Sequence, residues 1–147
     1  MLYVDSSALV KRYVAEAGSV AVASLLSSET ICTSSLCYAE VVAALARKRR
    51  ERQFSESEFD TTLQEFLFDW EHVVHEIVIN REILESLPQL LRAHPLRESD
   101  GIHLASALWA FRALRVSGDS YRFVVADERL AAAGSLCSLA ILNPELT

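Results

Sequence analysis

Short apolar segments alternate with longer segments of helical periodicity along almost the whole chain, and this alternation restricts the fold more than any other feature. The short segments predict five β-strands, at Leu2–Asp5, Thr30–Thr33, Val73–Val78, Arg122–Val125 and Leu139–Leu142. Strands separated by helices are typical of α/β proteins, in which helices cover both faces of a sheet. The sequence therefore predicts an α/β sandwich around a mostly parallel sheet.

Seven helices are predicted between the strands, and capping residues mark several of their ends. They span Ser6–Val14, Ser19–Ser28, about Leu36–Arg52, Ser55–Trp70, about Arg81–Ala93, Ser99 or Asp100 to about Val116, and Glu128–Ala133. Pro88 is expected to kink or break the fifth helix, because proline lacks the N–H that a helix interior needs. The third and fourth helices have no strand between them, so we expect a protruding helical hairpin that carries dimer contacts.

The composition is that of a globular protein with its own core, since 51% of the 147 residues are hydrophobic. No apolar run approaches the ~18 residues of a transmembrane helix, and the amino terminus lacks the basic region of a secretory signal. The three cysteines form no Cys-x-x-Cys motif, which favours buried thiols over disulfides or a zinc site. We therefore expect one cytoplasmic domain that spans residues 1–147.

The net charge of −6 excludes a broadly basic nucleic-acid binder, but the charge is unevenly distributed. Residues 55–85 contain nine of the 20 acidic residues and one basic residue, Arg81. The rest of the chain carries 11 acidic and 13 basic residues. The overall charge therefore does not exclude an RNA partner.

Three acidic residues stand out because their surroundings are apolar. Asp5 is the only charge among the first ten residues, Glu40 is the only charge between positions 31 and 46, and Asp127 follows the apolar run FVVA. An ionised carboxylate in such surroundings is costly unless it is paired or bound to a metal. Asp100, which opens the long sixth helix, is the fourth candidate.

These four acids are predicted to meet at one edge of the sheet, because ligands of parallel α/β sheets bind beyond the carboxyl ends of the strands. Four carboxylates repel one another, and Mg²⁺ or Mn²⁺, which prefer oxygen ligands, would relieve that repulsion. Such an ion can activate water and stabilise charge on a phosphate, as phosphodiester hydrolysis requires. No Ser-His-Asp or Cys-His grouping offers a competing mechanism.

Each acid also has a simpler structural interpretation. Asp5, Asp100 and Asp127 could each cap the helix that follows by accepting backbone hydrogen bonds. Glu40 lies too deep in its helix to be a cap, and its alternative is a buried ion pair with an arginine. One metal site would explain all four positions together, so we favour it.

Four segments resemble, in order and spacing, the motifs of PIN-domain nucleases, specifically the VapC-type toxins of toxin–antitoxin pairs. The segments are MLYVDSSALVKRYV, SSLCYAEVVAALAR, RESDGIHLASAL and FVVADERLAAAG. A single motif of this kind is weak evidence, whereas four in order extend over nearly the whole chain. The resemblance implies a PIN-like three-layer α/β/α sandwich with a five-stranded sheet.

The resemblance also assigns residues. Asp5, Glu40, Asp100 and Asp127 match the family's metal-binding acids, and Ser7 matches a small hydroxyl residue that supports the first of them. The implied function is a Mg²⁺- or Mn²⁺-dependent endoribonuclease that cuts structured RNA, such as tRNA or rRNA, and stops translation. The implied partners are a cognate VapB-type antitoxin and a second copy of the chain in a homodimer.

Two positions depart from the family pattern. Gly101 stands where an alanine is usual, and Val125 stands where a threonine or serine is usual. The glycine lowers helix propensity at a helix terminus, where the cost is small. The valine removes a possible hydroxyl contact near Asp127, so contacts around the acids and with substrate are the features most affected.

Other polar residues remain open to two interpretations. The basic run from Arg47 to Arg52 could stabilise a helix carboxyl terminus or could contact phosphate or the antitoxin. His103 follows Asp100 by one helical turn, and we expect it to pack or to form hydrogen bonds rather than to bind metal.

Other functions fit the sequence less well. A haloacid-dehalogenase-like phosphatase would need an aspartate at the position of Ser7, and a dinucleotide-binding domain would need a glycine-rich turn after the first strand. The main alternative is a catalytically silent PIN module that binds RNA or a partner protein. A DNA nuclease is a further alternative, because the metal chemistry does not select the sugar.

Overall fold

The computed structural model describes residues 1–113 and 120–146 and places five strands in one sheet. The strands are β1 (Leu2–Val4), β2 (Ile31–Ser34), β3 (Val74–Ile77), β4 (Arg122–Val124) and β5 (Ala140–Leu142). Their order is β3-β2-β1-β4-β5, and every neighbouring pair is parallel. The predicted five-stranded sheet is confirmed, and its parallel order brings the carboxyl ends of the strands to one edge.

All seven predicted helices occur, with some shifts at their ends. They are α1 (Ser6–Leu9), α2 (Ser19–Ser28), α3 (Ser35–Arg50), α4 (Glu56–His72), α5 (Arg81–Ala93), α6 (Glu98–Ala113) and α7 (Glu128–Leu136). The first is shorter than predicted, because a 3-10 helix at Val10–Arg12 follows it. The predicted end of the sixth helix near Val116 lies outside the described residues. α5 continues through Pro88, so no break occurs there.

Two apolar clusters, one on each face of the sheet, form the core. Alternate residues of a strand point to opposite faces. Accordingly, Tyr3 of β1 packs in the cluster that contains Leu104 of α6, whereas its neighbour Leu2 packs in the cluster that contains Val41 of α3. Helices α5, α6 and α7 contribute to the first cluster, and α1, α3 and α4 contribute to the second. The three-layer α/β/α sandwich is therefore confirmed.

The predicted helical hairpin consists of α3 and α4. Its turn precedes a capping box, in which the Glu58 amide donates to the Ser55 hydroxyl at 3.2 Å and the Ser55 amide donates to the Glu58 carboxylate at 2.7 Å. Phe66 of α4 is fully buried in the second cluster, so the hairpin packs on the sandwich by one face. Among the described residues, no helix is both long and apolar enough to cross a membrane.

Candidate active site

Two of the four predicted acids follow neighbouring strands in the middle of the sheet. Asp5 follows β1 and donates its amide hydrogen to the carbonyl of Val124 in β4 at 2.9 Å. Asp127 follows β4, the neighbouring strand. Asp5 and Asp127 are also helix caps, because Asp5 accepts a hydrogen bond from the Ser7 amide and Asp127 accepts one from the Leu130 amide, each at 2.9 Å. These bonds use Oδ2 of Asp5 and Oδ1 of Asp127, so one oxygen of each carboxylate has no part in capping.

Ser7 connects the two loops that carry these acids. Its hydroxyl donates to Oδ2 of Asp5 at 2.5 Å and accepts hydrogen bonds from the amides of Ala126 at 3.0 Å and Asp127 at 3.3 Å. One side chain therefore holds Asp5 against the loop between β4 and α7. These contacts are what a residue that orients Asp5 would make.

Glu40 contacts a histidine rather than the arginine of the alternative interpretation. Its Oε2 lies 2.6 Å from Nε2 of His103, and Oδ1 of Asp5 lies 3.5 Å from the same nitrogen. His103 is only 1% exposed, and its Nδ1 lies 3.0 Å from the hydroxyl of Tyr3. The spacing of His103 to Asp100 in the sequence indicates that it could face this edge of the sheet, whereas no sequence feature distinguishes Tyr3 from any other core residue of a strand.

The charges in this group shift the pKa values of its members in opposite directions. Burial raises the pKa of Glu40, but the hydrogen bond and the charge of His103, together with two serine hydroxyl groups, lower it overall. Burial lowers the pKa of His103, but the negative charges of Asp5, Glu40 and Asp100 and the hydrogen bond to Glu40 raise it overall. Without another cation in the site, the ionised carboxylates therefore favour a protonated imidazole.

Asp100 lies in the first turn of α6, three residues before His103, and accepts a weak hydrogen bond from the Arg97 amide at 3.4 Å. Burial raises the pKa of Asp100, and the negative charges of Asp127 and Asp5 raise it further, against the opposing effect of Arg97. Like charges perturb a pKa when they are close. Asp5, Asp100 and Asp127 therefore lie near one another at the carboxyl edge of the sheet.

The donor set suits a hard cation, although the side chains are not gathered around one point. Among residues 1–113 and 120–146, no three His, Cys, Asp or Glu side chains are arranged so that they could hold one metal ion as they stand. Carboxylate oxygens are nevertheless the ligands that Mg²⁺ and Mn²⁺ prefer. Burial is the main cause of the raised pKa of Asp100, and the repulsion from Asp127 and Asp5 that adds to it is the kind that a divalent ion would relieve.

Gly101 and Val125, the two departures from the family pattern, both face apolar neighbours. A Cβ at position 101 would lie 2.7 Å from Cδ2 of Leu91, so the glycine lets α5 and α6 approach closely. Val125 is fully buried in the first core cluster, where a hydroxyl group would need a buried partner. Both substitutions therefore fit the packing of the helices and the sheet next to the acids.

A groove of about 320 Å³ opens beside Glu40 and leads toward the basic run. It is lined by Ser6, Ser7, Val10, Glu40, Ala43, Ala44 and Arg47. Arg47 follows Glu40 by seven residues, which places it on the same face of α3 about 10 Å further along. Arg49, in contrast, pairs with Glu56 at 3.2 Å. Arg47 is therefore the member of the basic run that lines the groove beginning at Glu40.

Comparison with known proteins gives a family match and two close relatives. The family model named PIN domain matches residues 2–133. Ribonuclease VapC45 of Mycobacterium tuberculosis (strain CDC 1551 / Oshkosh) and Ribonuclease VapC49 of Mycobacterium tuberculosis (strain ATCC 25618 / H37Rv) are each 36% identical to the chain over 112 residues. The matched region covers 74% of this chain and 75% of each relative.

Two solved structures share the fold over 98% of this chain and 98% of their own. A toxin–antitoxin complex from Klebsiella pneumoniae has a TM-score of 0.62, and FitAcB from Neisseria gonorrhoeae has a TM-score of 0.65. Each is 14% identical to this chain. These two similarities concern the fold alone.

Proposed function

The chain belongs to the PIN-domain family, and from this premise we propose that it is an endoribonuclease of the VapC type, the toxin of a toxin–antitoxin pair. The observation that carries the proposal is the grouping of acids from four parts of the chain. His103 contacts both Asp5 and Glu40, and the pKa of Asp100, raised mainly by burial, is raised further by the charges of Asp127 and Asp5. Solvated surface acids have no reason to converge in this way.

We propose that Asp5, Glu40 and Asp100 hold a divalent ion, Mg²⁺ or Mn²⁺, and that Asp127 completes the site. The bound ion would supply Lewis acidity toward the scissile phosphate and would neutralise negative charge on it. Ser7 would hold Asp5 in place, since its hydroxyl joins that carboxylate to the loop before α7. No serine or cysteine nucleophile is needed, because water can be the attacking group.

The remaining proposals follow from the relatives rather than from the geometry. We propose that residues 1–147 form a single PIN domain that acts in the cytoplasm on tRNA or rRNA and thereby inhibits translation. We propose a VapB-type antitoxin as its partner, in keeping with the toxin–antitoxin complex among the structural neighbours. We also propose a homodimer, with the α3–α4 hairpin as the expected site of dimer contacts.

The alternative, a silent PIN module that binds RNA or a partner protein without cleavage, is favoured by one observation. Among the described residues, no three potential ligands are arranged to hold a metal ion as they stand. An active site that needs metal to draw its ligands together would look the same before the metal binds. Cleavage in the presence of metal therefore separates the two functions.

The experiment is to incubate antitoxin-free protein with total RNA and with purified tRNA in Mg²⁺, Mn²⁺ or EDTA. The Asp5→Asn variant is tested beside it, because asparagine caps a helix as well as aspartate does and should preserve the fold. Asp60→Asn, the same chemical change on an exposed residue of α4, is the matched control. We expect discrete fragments from the wild type and from Asp60→Asn, and none in EDTA or from Asp5→Asn.

Full cleavage by folded Asp5→Asn would reject the assignment of the site. If the wild type, folded by circular dichroism, cleaves neither RNA in either metal but still binds RNA, the silent module is the better description. Cleavage of single-stranded DNA at an equal rate would instead favour the DNA nuclease.

A further inference from the structure

We propose that His103 is a positioning residue that holds Glu40 in place for the metal, and that Tyr3 in turn orients His103. The inference rests on the proposed metal site. It concerns two residues that the resemblance to the family did not assign to the site, and it is carried by their hydrogen bonds and burial.

The contact between His103 and Glu40 joins the two helical layers. Glu40 lies on α3, whose Val41 packs in the second core cluster, whereas His103 lies on α6, whose Leu104 packs in the first. The 2.6 Å contact between Oε2 and Nε2 therefore crosses the carboxyl edge of the sheet. It brings Glu40 toward α6, the helix that also carries Asp100.

The hydrogen-bond partners determine which ring nitrogen carries the proton. An ionised carboxylate can only accept, so Nε2 of His103 donates to Glu40. The Tyr3 hydroxyl is a hydrogen-bond donor, and its oxygen lies 3.0 Å from Nδ1 of His103. An imidazole with its hydrogen on Nε2 and its lone pair on Nδ1 satisfies both contacts.

The imidazole has little freedom to leave this position. His103 is 1% exposed, and Tyr3 is fully buried in the central strand β1. The two rings meet edge to face, with centroids 6.1 Å apart and an angle of 77° between their planes. The Tyr3 ring also packs edge to face with Phe123 of β4, at 5.5 Å between centroids. Glu40 is therefore oriented by the rigid centre of the sheet.

The experiment measures Mn²⁺ binding directly, by the loss of the free-ion signal in electron paramagnetic resonance, so that it does not depend on finding the RNA target. His103→Leu removes the donor, and His103→Gln supplies an amide N–H near the position of Nε2. Tyr3→Phe removes only the hydroxyl that orients the ring. His72→Leu is the control, since His72 is the last residue of α4, just before the amino end of β3, and so lies away from the carboxyl edge of the sheet that carries the acids.

We expect His103→Leu to weaken Mn²⁺ binding about 10- to 100-fold, the usual loss when a partner that orients a ligand is removed. His103→Gln should recover most of this loss, Tyr3→Phe should weaken binding by a smaller factor, and His72→Leu should leave it unchanged. The dissociation constant of each variant is compared after its fold has been verified by circular dichroism.

Wild-type binding in folded His103→Leu would overturn the inference while leaving the metal site intact. Equal losses in His103→Leu and His103→Gln would also overturn it, because the ring would then matter only for packing. If His103→Leu does not fold, His103→Gln and Tyr3→Phe are compared instead. Unaltered Mn²⁺ binding in Tyr3→Phe together with complete loss of Mn²⁺ binding in His103→Gln would contradict the proposal that Tyr3 orients His103 and that His103 holds Glu40. Absence of Mn²⁺ binding by the wild type would reject the proposed metal site, and this inference with it.

Discussion

At the scale of single residues, Asp5 and Asp127 are helix caps as well as proposed metal ligands. Each uses one carboxylate oxygen to accept a backbone hydrogen bond at the start of a helix. The cap limits the movement of the side chain, so the other oxygen is held close to the position that a ligand would need. Capping and metal binding, which the sequence presented as alternatives, are therefore compatible at both residues.

Substitution of Asp127 should separate the two roles. Asp127→Asn keeps a capping oxygen but loses the charge, so it should keep its stability and lose about 10- to 100-fold in cleavage. Asp127→Ala loses the cap as well, and we expect a further cost of about 1 kcal/mol in the free energy of unfolding. Thermal denaturation and RNA cleavage are measured on both variants. Equal stability of the two would contradict the capping role.

At the scale of elements, the helices determine what surrounds the acids. α5 and α6 pack closely because Gly101 leaves room for the side chain of Leu91. This packing fixes the start of α6 and hence the position of Asp100. α3 has a comparable role on the other side, since it carries Glu40 and, two turns later, Arg47.

The position of Arg47 on α3 predicts a contact with the RNA backbone. Arg47 borders the groove that begins at Glu40, and a guanidinium about 10 Å beyond the acids could bind a neighbouring phosphate. Arg47→Ala should raise KM about 10-fold with little change in kcat, as expected for the loss of ~1.4 kcal/mol of binding. Steady-state cleavage of a fluorescent RNA measures both constants.

Arg50→Ala is the matched control for this prediction, because it removes an equal charge from the same helix at an exposed residue outside the groove lining. We expect its KM to change by less than about 2-fold, as for a distant surface charge. Equal effects of the two substitutions would mean that only the total positive charge matters. A lower kcat in Arg47→Ala would instead place this residue in the chemical step.

At the scale of the whole molecule, the proposed metal site connects the two helical layers across the edge of the sheet. Glu40 belongs to the layer of α3, Asp100 belongs to the layer of α6, and Asp5 and Asp127 follow the central strands β1 and β4. A ligand that binds the folded state alone stabilises it by mass action. Metal binding should therefore stabilise the whole sandwich rather than one loop.

This coupling predicts a metal-dependent melting temperature. At a Mn²⁺ concentration about 100 times the dissociation constant, the folded state gains about 2.7 kcal/mol, which corresponds to a rise of roughly 5–10 °C in Tm. EDTA should reverse the shift, and Asp5→Asn should show little of it. Differential scanning fluorimetry at several Mn²⁺ concentrations measures the effect. An equal shift in Asp5→Asn would mean that the metal stabilises the protein from another site.

Most of the fold could be predicted from the sequence, because its signals are local. The five strands are short apolar runs, and the capping box at Ser55 and Glu58 marks the start of α4 through residues three positions apart. Pro88 is an exception. Proline usually interrupts a helix, but α5 continues through it and packs against α6. The packing between the two helices was not visible in the local sequence.

The sequence by itself determined which elements form and which four acids are candidates, since strand patterns, helix caps and isolated charges are all local features. Only the tertiary structure decided which side chains meet. Tyr3 and His103 are 100 positions apart and His103 and Glu40 are 63 apart, yet all three form one hydrogen-bonded chain. The parallel order of the strands brings them together, because it places the carboxyl end of β1 and the starts of α3 and α6 at one edge. Partners so distant in sequence leave no pattern in the residues between them.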